Sequence, residues 1–155
     1  APLNTRAPRV VSPRRDYRRY QELEIKHGRI SMLACVGVIT TEAGFRWPGY
    51  LSKSLDLKFS DVPGGALDSW AAVPAIGWFQ IVFAVIFLEL AYGVQDPSKE
   101  PGDVGGITWI RYDDPEVKKF KLNAERNNGR AAMMGITGMI THNALGVDSL
   151  FPIVS

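Results

Sequence analysis

Ionisable residues set inside otherwise apolar sequence are the chemically informative part of this chain. Glu24, His27, Gly28, Arg29 and Met32 recur 101 positions on as Glu125, Asn128, Gly129, Arg130 and Met133, and Gly37, Ile39, Thr40 and Ala43 recur as Gly138, Ile140, Thr141 and Ala144. Composition alone would match apolar residues with one another and leave ionisable ones unmatched, so the chain carries an internal duplication. A Glu and an Arg within a membrane helix are each costly unless neutralised. Glu24 and Arg29 are five residues apart, about 140° around a helix axis, so they do not face each other within one helix, and the same holds for Glu125 and Arg130. If the two helices cross with pseudo-two-fold symmetry, Glu24 meets Arg130 and Glu125 meets Arg29. Gly28, Gly37, Gly129, Gly135 and Gly138 would let the backbones approach.

An ion-paired carboxylate keeps an oxygen lone pair while the pair as a whole is neutral. That suits an axial ligand for a hard divalent ion already charge-balanced by a macrocycle, such as the Mg of chlorophyll. His27 and Asn128 follow those glutamates by one turn on nearly the same face and offer nitrogen or amide-oxygen donors. His142 lies about 21 Å further along the axis than Asn128 and within about 40° of its face, placed for a second pigment in the other leaflet. Gln80 and Glu89 are the strong donors of the middle helix, on opposite faces. Blander readings of the same residues stay open here: structural ion pairs, hydrogen-bonded core histidines, a helix–helix bond at Gln80 and an interfacial Glu89. Glu24-x-x-His27 is also the ligand pair of di-iron bundles. Against that reading, the second copy has Asn128 instead of His, and an Arg follows each copy.

These donors need long helices to position them. The chain has 155 residues, a single-domain size, with 46% hydrophobic residues and a mean hydropathy of -0.04. That average hides segregation, because the 18 residues from Ala71 to Leu88 carry no formal charge and approach the roughly 20 that span a bilayer. Helices are expected over about 21–43, 71–93 and 115–145. The last has a strong start in Asp113-Asp114-Pro115-Glu116, with an acidic cap, Pro in the first turn and an acid at the positive end of the macrodipole. Residues 1–20 are rich in Pro and Arg and read as an extended surface arm. Six arginines in that arm are no nucleic-acid motif, and no secretory h-region is visible, so any targeting peptide is expected to have been removed or never present. The single Cys35 excludes an intrachain disulfide and a cysteine-cluster metal site. Three spans put the chain ends on opposite sides, with the arm and Lys118, Lys119 and Lys121 together on the basic side.

ELEIKHGRISML and AERNNGRAAMMGITGMITH resemble the first and third transmembrane helices of the light-harvesting chlorophyll-binding superfamily. PGYLSKSLDLKFSDVPGGALDSWAAVP and GWFQIVFAVIFLEL are most similar to its chlorophyll a/c branch, the fucoxanthin or peridinin antenna proteins. The resemblance implies an all-α membrane protein, one antenna domain over 1–155, with three transmembrane helices of which the first and third cross as a pseudo-two-fold pair. It implies Glu24, His27, Gln80, Glu125, Asn128 and His142 as chlorophyll ligands, with Glu89 a further candidate, and Arg29 and Arg130 as ion-pair partners. Chlorophyll a, chlorophyll c and carotenoids of the fucoxanthin or peridinin and diadinoxanthin types follow from it, as does a plastid thylakoid location with a stromal N-terminus. The implied function is excitation-energy transfer to a photosystem, without catalytic residues, beside photosystem core subunits, neighbouring antenna proteins and thylakoid lipids. No nucleic-acid partner is expected. Two other readings are a photoprotective relative, with Glu42 or Asp148 as a protonatable group, and a pigment-free membrane scaffold. The basic arm and the Gly102 to Ile107 stretch, with Trp109 as an anchor, are expected to dock against neighbouring subunits.

Overall fold

The computed structural model of the chain describes residues 13–104, 112 and 114–147. Trp109, Asp113, Asp148 and residues 105–107 lie outside the described residues. The elements in order are α1 (Pro13–Glu42), β1 (Tyr50–Ser52), β2 (Leu57–Lys58), a 3-10 turn at Phe59–Asp61, α2 (Ala66–Ala72), α3 (Ala75–Ala91) and α4 (Pro115–Ala144). The start of α4 follows its sequence signals: Asp114 is the N-cap, its side chain accepts from the Glu116 amide at 2.8 Å, and Pro115 opens the first turn.

The expected arm is shorter than its composition suggested, because residues 13–20 are helical and α1 begins at Pro13. Proline is tolerated in a first turn, where its missing N–H has no helical partner, and arginine is a good helix former. An Arg18 to Glu22 pair at 2.9 Å, one turn apart, braces this extension.

The middle helix is also corrected. The expected helix over 71–93 is α3, which begins only at Ala75, and the short α2 precedes it, bent by 110° at the break between them. Proline disfavours the helical region for the residue before it; Val73 takes φ -74° and ψ 125°, and Pro74 becomes the N-cap of α3. The described residues therefore form four α-helices, plus a small antiparallel hairpin in which Tyr50 pairs with Lys58. Arg46 closes the loop between α1 and the hairpin region, donating to the Thr41 carbonyl at 2.6 Å and to the Val62 carbonyl at 3.3 Å.

The architecture is a crossed pair with an outlier. α1 and α4 pack on each other, α2 packs on α4, and α3 packs closely along none of them. At the crossing, a Cβ placed on Gly28 would lie 3.0 Å from the Gly129 Cα, and one on Gly129 would lie 2.9 Å from the Gly28 Cα. Gly28 and Gly129 are equivalent positions of the repeat, so the pseudo-two-fold axis passes between them. Gly135 makes ordinary contact with Cys35, whereas Gly37 and Gly138 face open space, so they have no part in the close approach.

The described residues form no ordinary core: Met139 is the one buried hydrophobic side chain among them, while Phe79, Phe83 and Leu90 of α3 are 74%, 73% and 74% exposed. No single described helix is long and apolar enough to cross a membrane, and the bent pair α2 and α3 meets the length and hydropathy requirement only together. For α1 and α4 the reason is visible in the sequence, since each carries the ionisable motif near its middle.

Candidate functional site

The crossing brings together the four ionisable residues of the repeat. Arg29 Nε donates to Glu125 Oε1 at 2.7 Å, and Arg130 Nε donates to Glu24 Oε1 at 2.5 Å. Each pair joins α1 to α4, one on either side of the Gly28 and Gly129 contact. Each uses a single carboxylate oxygen, so the Oε2 atoms of Glu24 and Glu125 keep their lone pairs clear of these bonds. The two halves are not identical, because Arg29 Nη1 also donates to the Gly102 carbonyl at 2.7 Å. Arg130 has no such second anchor among the described residues, and its side chain is 58% exposed against 40% for Arg29.

His27 and Asn128 are again equivalent, each one residue before a crossing glycine, and both are exposed. His27 Nδ1 lies 2.8 Å from the Leu23 carbonyl. An Nδ1–H donated there fixes the tautomer and leaves the Nε2 lone pair pointing outward, the arrangement of a metal-ligating imidazole. His142 is half-buried near the far end of α4, about 20 Å along the axis from Gly129, so it belongs to a separate site. Gln80 is exposed on α3, away from the crossing. Glu89 forms an ion pair with Lys26 of α1, which ties the outlying α3 to the crossed pair.

Lys26 and Asn143 carry roles that the sequence reading did not assign. Asn143 Oδ1 accepts from the Leu67 amide at 2.6 Å and its Nδ2 donates to Asp68 at 3.3 Å, so the end of α4 caps the first turn of α2. Its repeat equivalent, Glu42, reaches the neighbouring Gly64, where an added Cβ would lie 3.1 Å from the Glu42 Oε1. The available signal was the repeat itself: equivalent positions end both long helices beside the Gly64-Gly65 turn.

At the other end, the loop after α3 is clasped to α1. Arg18 donates to the Asp96 and Lys99 carbonyls at 3.2 and 2.5 Å, and Gln95 accepts from the Gly102 amide at 2.9 Å. The Asp96 carboxyl is held below its ordinary range by hydrogen bonds from the Ser98 backbone and hydroxyl. Because that shift is a depression, the turn's contribution is present above the ordinary carboxylate pKa and is lost only as pH falls through the lowered value.

No three His, Cys, Asp or Glu side chains converge on a metal position among the described residues. A bare metal cluster thus has no donor set there. What the chain offers is a series of separated, single donors on neutral or neutralised groups. That suits metal centres that arrive with most of their ligands in place.

Comparison with known proteins finds relatives over most of the chain. The family profile described as chlorophyll A-B binding protein matches residues 2–144. Fucoxanthin-chlorophyll a-c binding protein F, chloroplastic, of Macrocystis pyrifera is 39% identical over 153 residues, covering 94% of this chain and 72% of the relative. Fucoxanthin-chlorophyll a-c binding protein B, chloroplastic, of Phaeodactylum tricornutum is 41% identical over 137 residues, covering 85% of this chain and 68% of the relative.

Proposed function

The chain belongs to the chlorophyll A-B binding protein family, and from that premise we propose that it is a light-harvesting antenna protein that binds chlorophyll a, chlorophyll c and carotenoids of the fucoxanthin type and passes excitation energy on. The observation that carries this reading is the contrast between large exposed apolar surfaces and a single buried hydrophobic side chain among the described residues. Isolated apolar side chains on a surface need no explanation, but faces as extended as those of α3 need a covering phase. Pigments and lipid supply that phase.

Bound chlorophyll would supply light absorption and energy transfer; the chain's own residues hold, orient and separate the pigments. Glu24 and Glu125, neutralised by Arg130 and Arg29, would hold chlorophyll through Oε2, and His27 would hold it through Nε2. Asn128, Gln80 and His142 are further single donors. Glu89 meets the same condition as the crossing glutamates, because Lys26 balances its charge. The chain performs no covalent chemistry in this reading. α1, the α2–α3 unit and α4 are the three membrane passages of one domain, in a thylakoid membrane with the arginine-rich N-terminal end on the stromal side. The partners are neighbouring antenna proteins and photosystem core subunits, met partly through that end.

Ligand variants test the assignment. After refolding with a pigment extract, His27→Leu and His142→Leu are each expected to lose about one chlorophyll per chain, in different spectral bands, while the circular dichroism of the helices is retained. An unchanged pigment count in both variants would reject histidine ligation. A wild-type chain that folds without pigment would instead favour a scaffold.

A further inference from the structure

Arg126 is the charge beside the helix crossing that the ion-pair lock leaves over. Glu24 is balanced by Arg130 and Glu125 by Arg29, whereas Arg126, next to Glu125 in the chain, forms no ion pair among the described residues. It is half-buried, and its Nε is enclosed by the protein without a hydrogen-bond partner among them. Arg126 precedes Gly129 by three residues and Arg130 by four, so it lies on the face of α4 that turns toward the crossing. The fold itself does not call for a cation there. At the equivalent position of the repeat α1 has Ile25, which lies against the Gly102 turn, its Cγ2 2.9 Å from where a Gly102 Cβ would stand.

An unpartnered guanidinium in a membrane protein is costly, and unlike a lysine ammonium it does not relieve that cost by shedding its proton. It calls for an anion. Of the pigments proposed above, the carotenoids are uncharged and chlorophyll a has its propionate esterified to phytol. Chlorophyll c keeps a free acrylate, ionised at neutral pH, and a planar carboxylate matches the forked N–H donors of a guanidinium. A single donor to Mg cannot tell the two chlorophylls apart, because the metal is the same in both. We propose that Arg126 holds the free carboxylate of one chlorophyll c and so selects that pigment over chlorophyll a on its side of the crossing. The preference acts in both directions: chlorophyll c satisfies the cation, and chlorophyll a leaves a buried donor unpaired.

The assignment rests on the antenna reading proposed above, and its test separates the two. The full chain is refolded with chlorophyll a, chlorophyll c and fucoxanthin, and the bound pigments are extracted and counted by chromatography. Arg126→Leu is expected to carry about one chlorophyll c fewer per chain and one chlorophyll a more, with the helical circular dichroism retained, since Ile25 shows that an aliphatic side chain fits the repeat. Arg126→Lys should keep the chlorophyll c. In a second arm chlorophyll c competes with its own methyl ester, which has the same ring and Mg without the charge. Wild type should prefer the free acid about tenfold at one site per chain, the effect of a hydrogen bond between charged groups, and Arg126→Leu should lose that preference. Equal chlorophyll c content in wild type and Arg126→Leu, or equal uptake of acid and ester by wild type, would overturn the proposal and leave the antenna reading standing. Loss of a co-purifying phospholipid in Arg126→Leu, in place of a chlorophyll c, would overturn it too, by assigning Arg126 to a phosphate. A wild-type chain that takes up no pigment would overturn both.

Discussion

Replacing Arg130 by Leu is expected to prevent most of the chain from assembling with pigment. Arg130 is the sole ion-pair partner that the described residues provide for Glu24, so its loss leaves a carboxylate uncompensated at a helix crossing. Breaking a buried pair from one side costs about 3–5 kcal/mol. In water the 58% exposure of the Arg130 side chain would reduce that figure, but on the membrane placement proposed above the same surface would face pigment and hydrocarbon. The double variant Glu24→Gln, Arg130→Leu removes both charges and should recover much of the lost stability, as expected when no charge is left unpaired. Thermal midpoints of the refolded complexes, followed by visible circular dichroism, measure both effects. Arg130→Leu equal to wild type would reject the pair as the lock of the crossing. Arg29→Leu is a less clean substitution, because Arg29 also holds the Gly102 carbonyl.

Gly129→Ala is expected to be a strongly damaging single-methyl change at the helix crossing. The new Cβ would stand 2.9 Å from the Gly28 Cα, and its neighbour is backbone, so no side chain can rotate away. Overpacking of this kind costs about 1–3 kcal/mol. The crossing would have to open, carrying both ion pairs out of register, so the loss in assembly should exceed that figure. Gly138→Ala is the matched control, since nothing lies within 4 Å of its added Cβ, and helix propensity favours Ala over Gly by about 1 kcal/mol. Refolding yields of the two variants decide the point. Similar yields would mean that α1 and α4 are not held at closest approach through Gly28 and Gly129.

The sequence displayed the crossing because its lock is written twice. A matched Glu, Gly and Arg at one offset cannot arise from apolar composition, and the five-residue spacing required the partner to be on the other helix. α4 was equally legible, as Asp114 and Pro115 are local signals that act through their own backbone. The break between α2 and α3 was hidden because the uncharged run through Pro74 dominated the reading, although the restriction on Val73 was present in the sequence. The start of α1 was missed for the opposite reason: Pro13 was read as loop chemistry, and the helix accepts it in its first turn. Short strands of three and two residues carry too little alternation to be seen. Lys26 and Glu89 were unreadable as a pair because Lys26 has no charged counterpart in the repeat, where Asn127 stands, and the contact spans 63 positions. The single donors His27, Asn128, Gln80 and His142 could be named from residue type, and helix spacing alone already set His142 apart from Asn128 and the crossing.

The central claim is that pigments complete this protein and that excitation moves between them. Refolding the purified chain with chlorophyll a, chlorophyll c and fucoxanthin, isolating the complex by gel filtration and recording the excitation spectrum of chlorophyll a fluorescence tests it most directly. The account predicts that the carotenoid and chlorophyll c bands appear in that spectrum with intensities close to their share of the absorption. A folded chain that elutes without pigment, or one whose chlorophyll a emission is excited only through chlorophyll a itself, would contradict it.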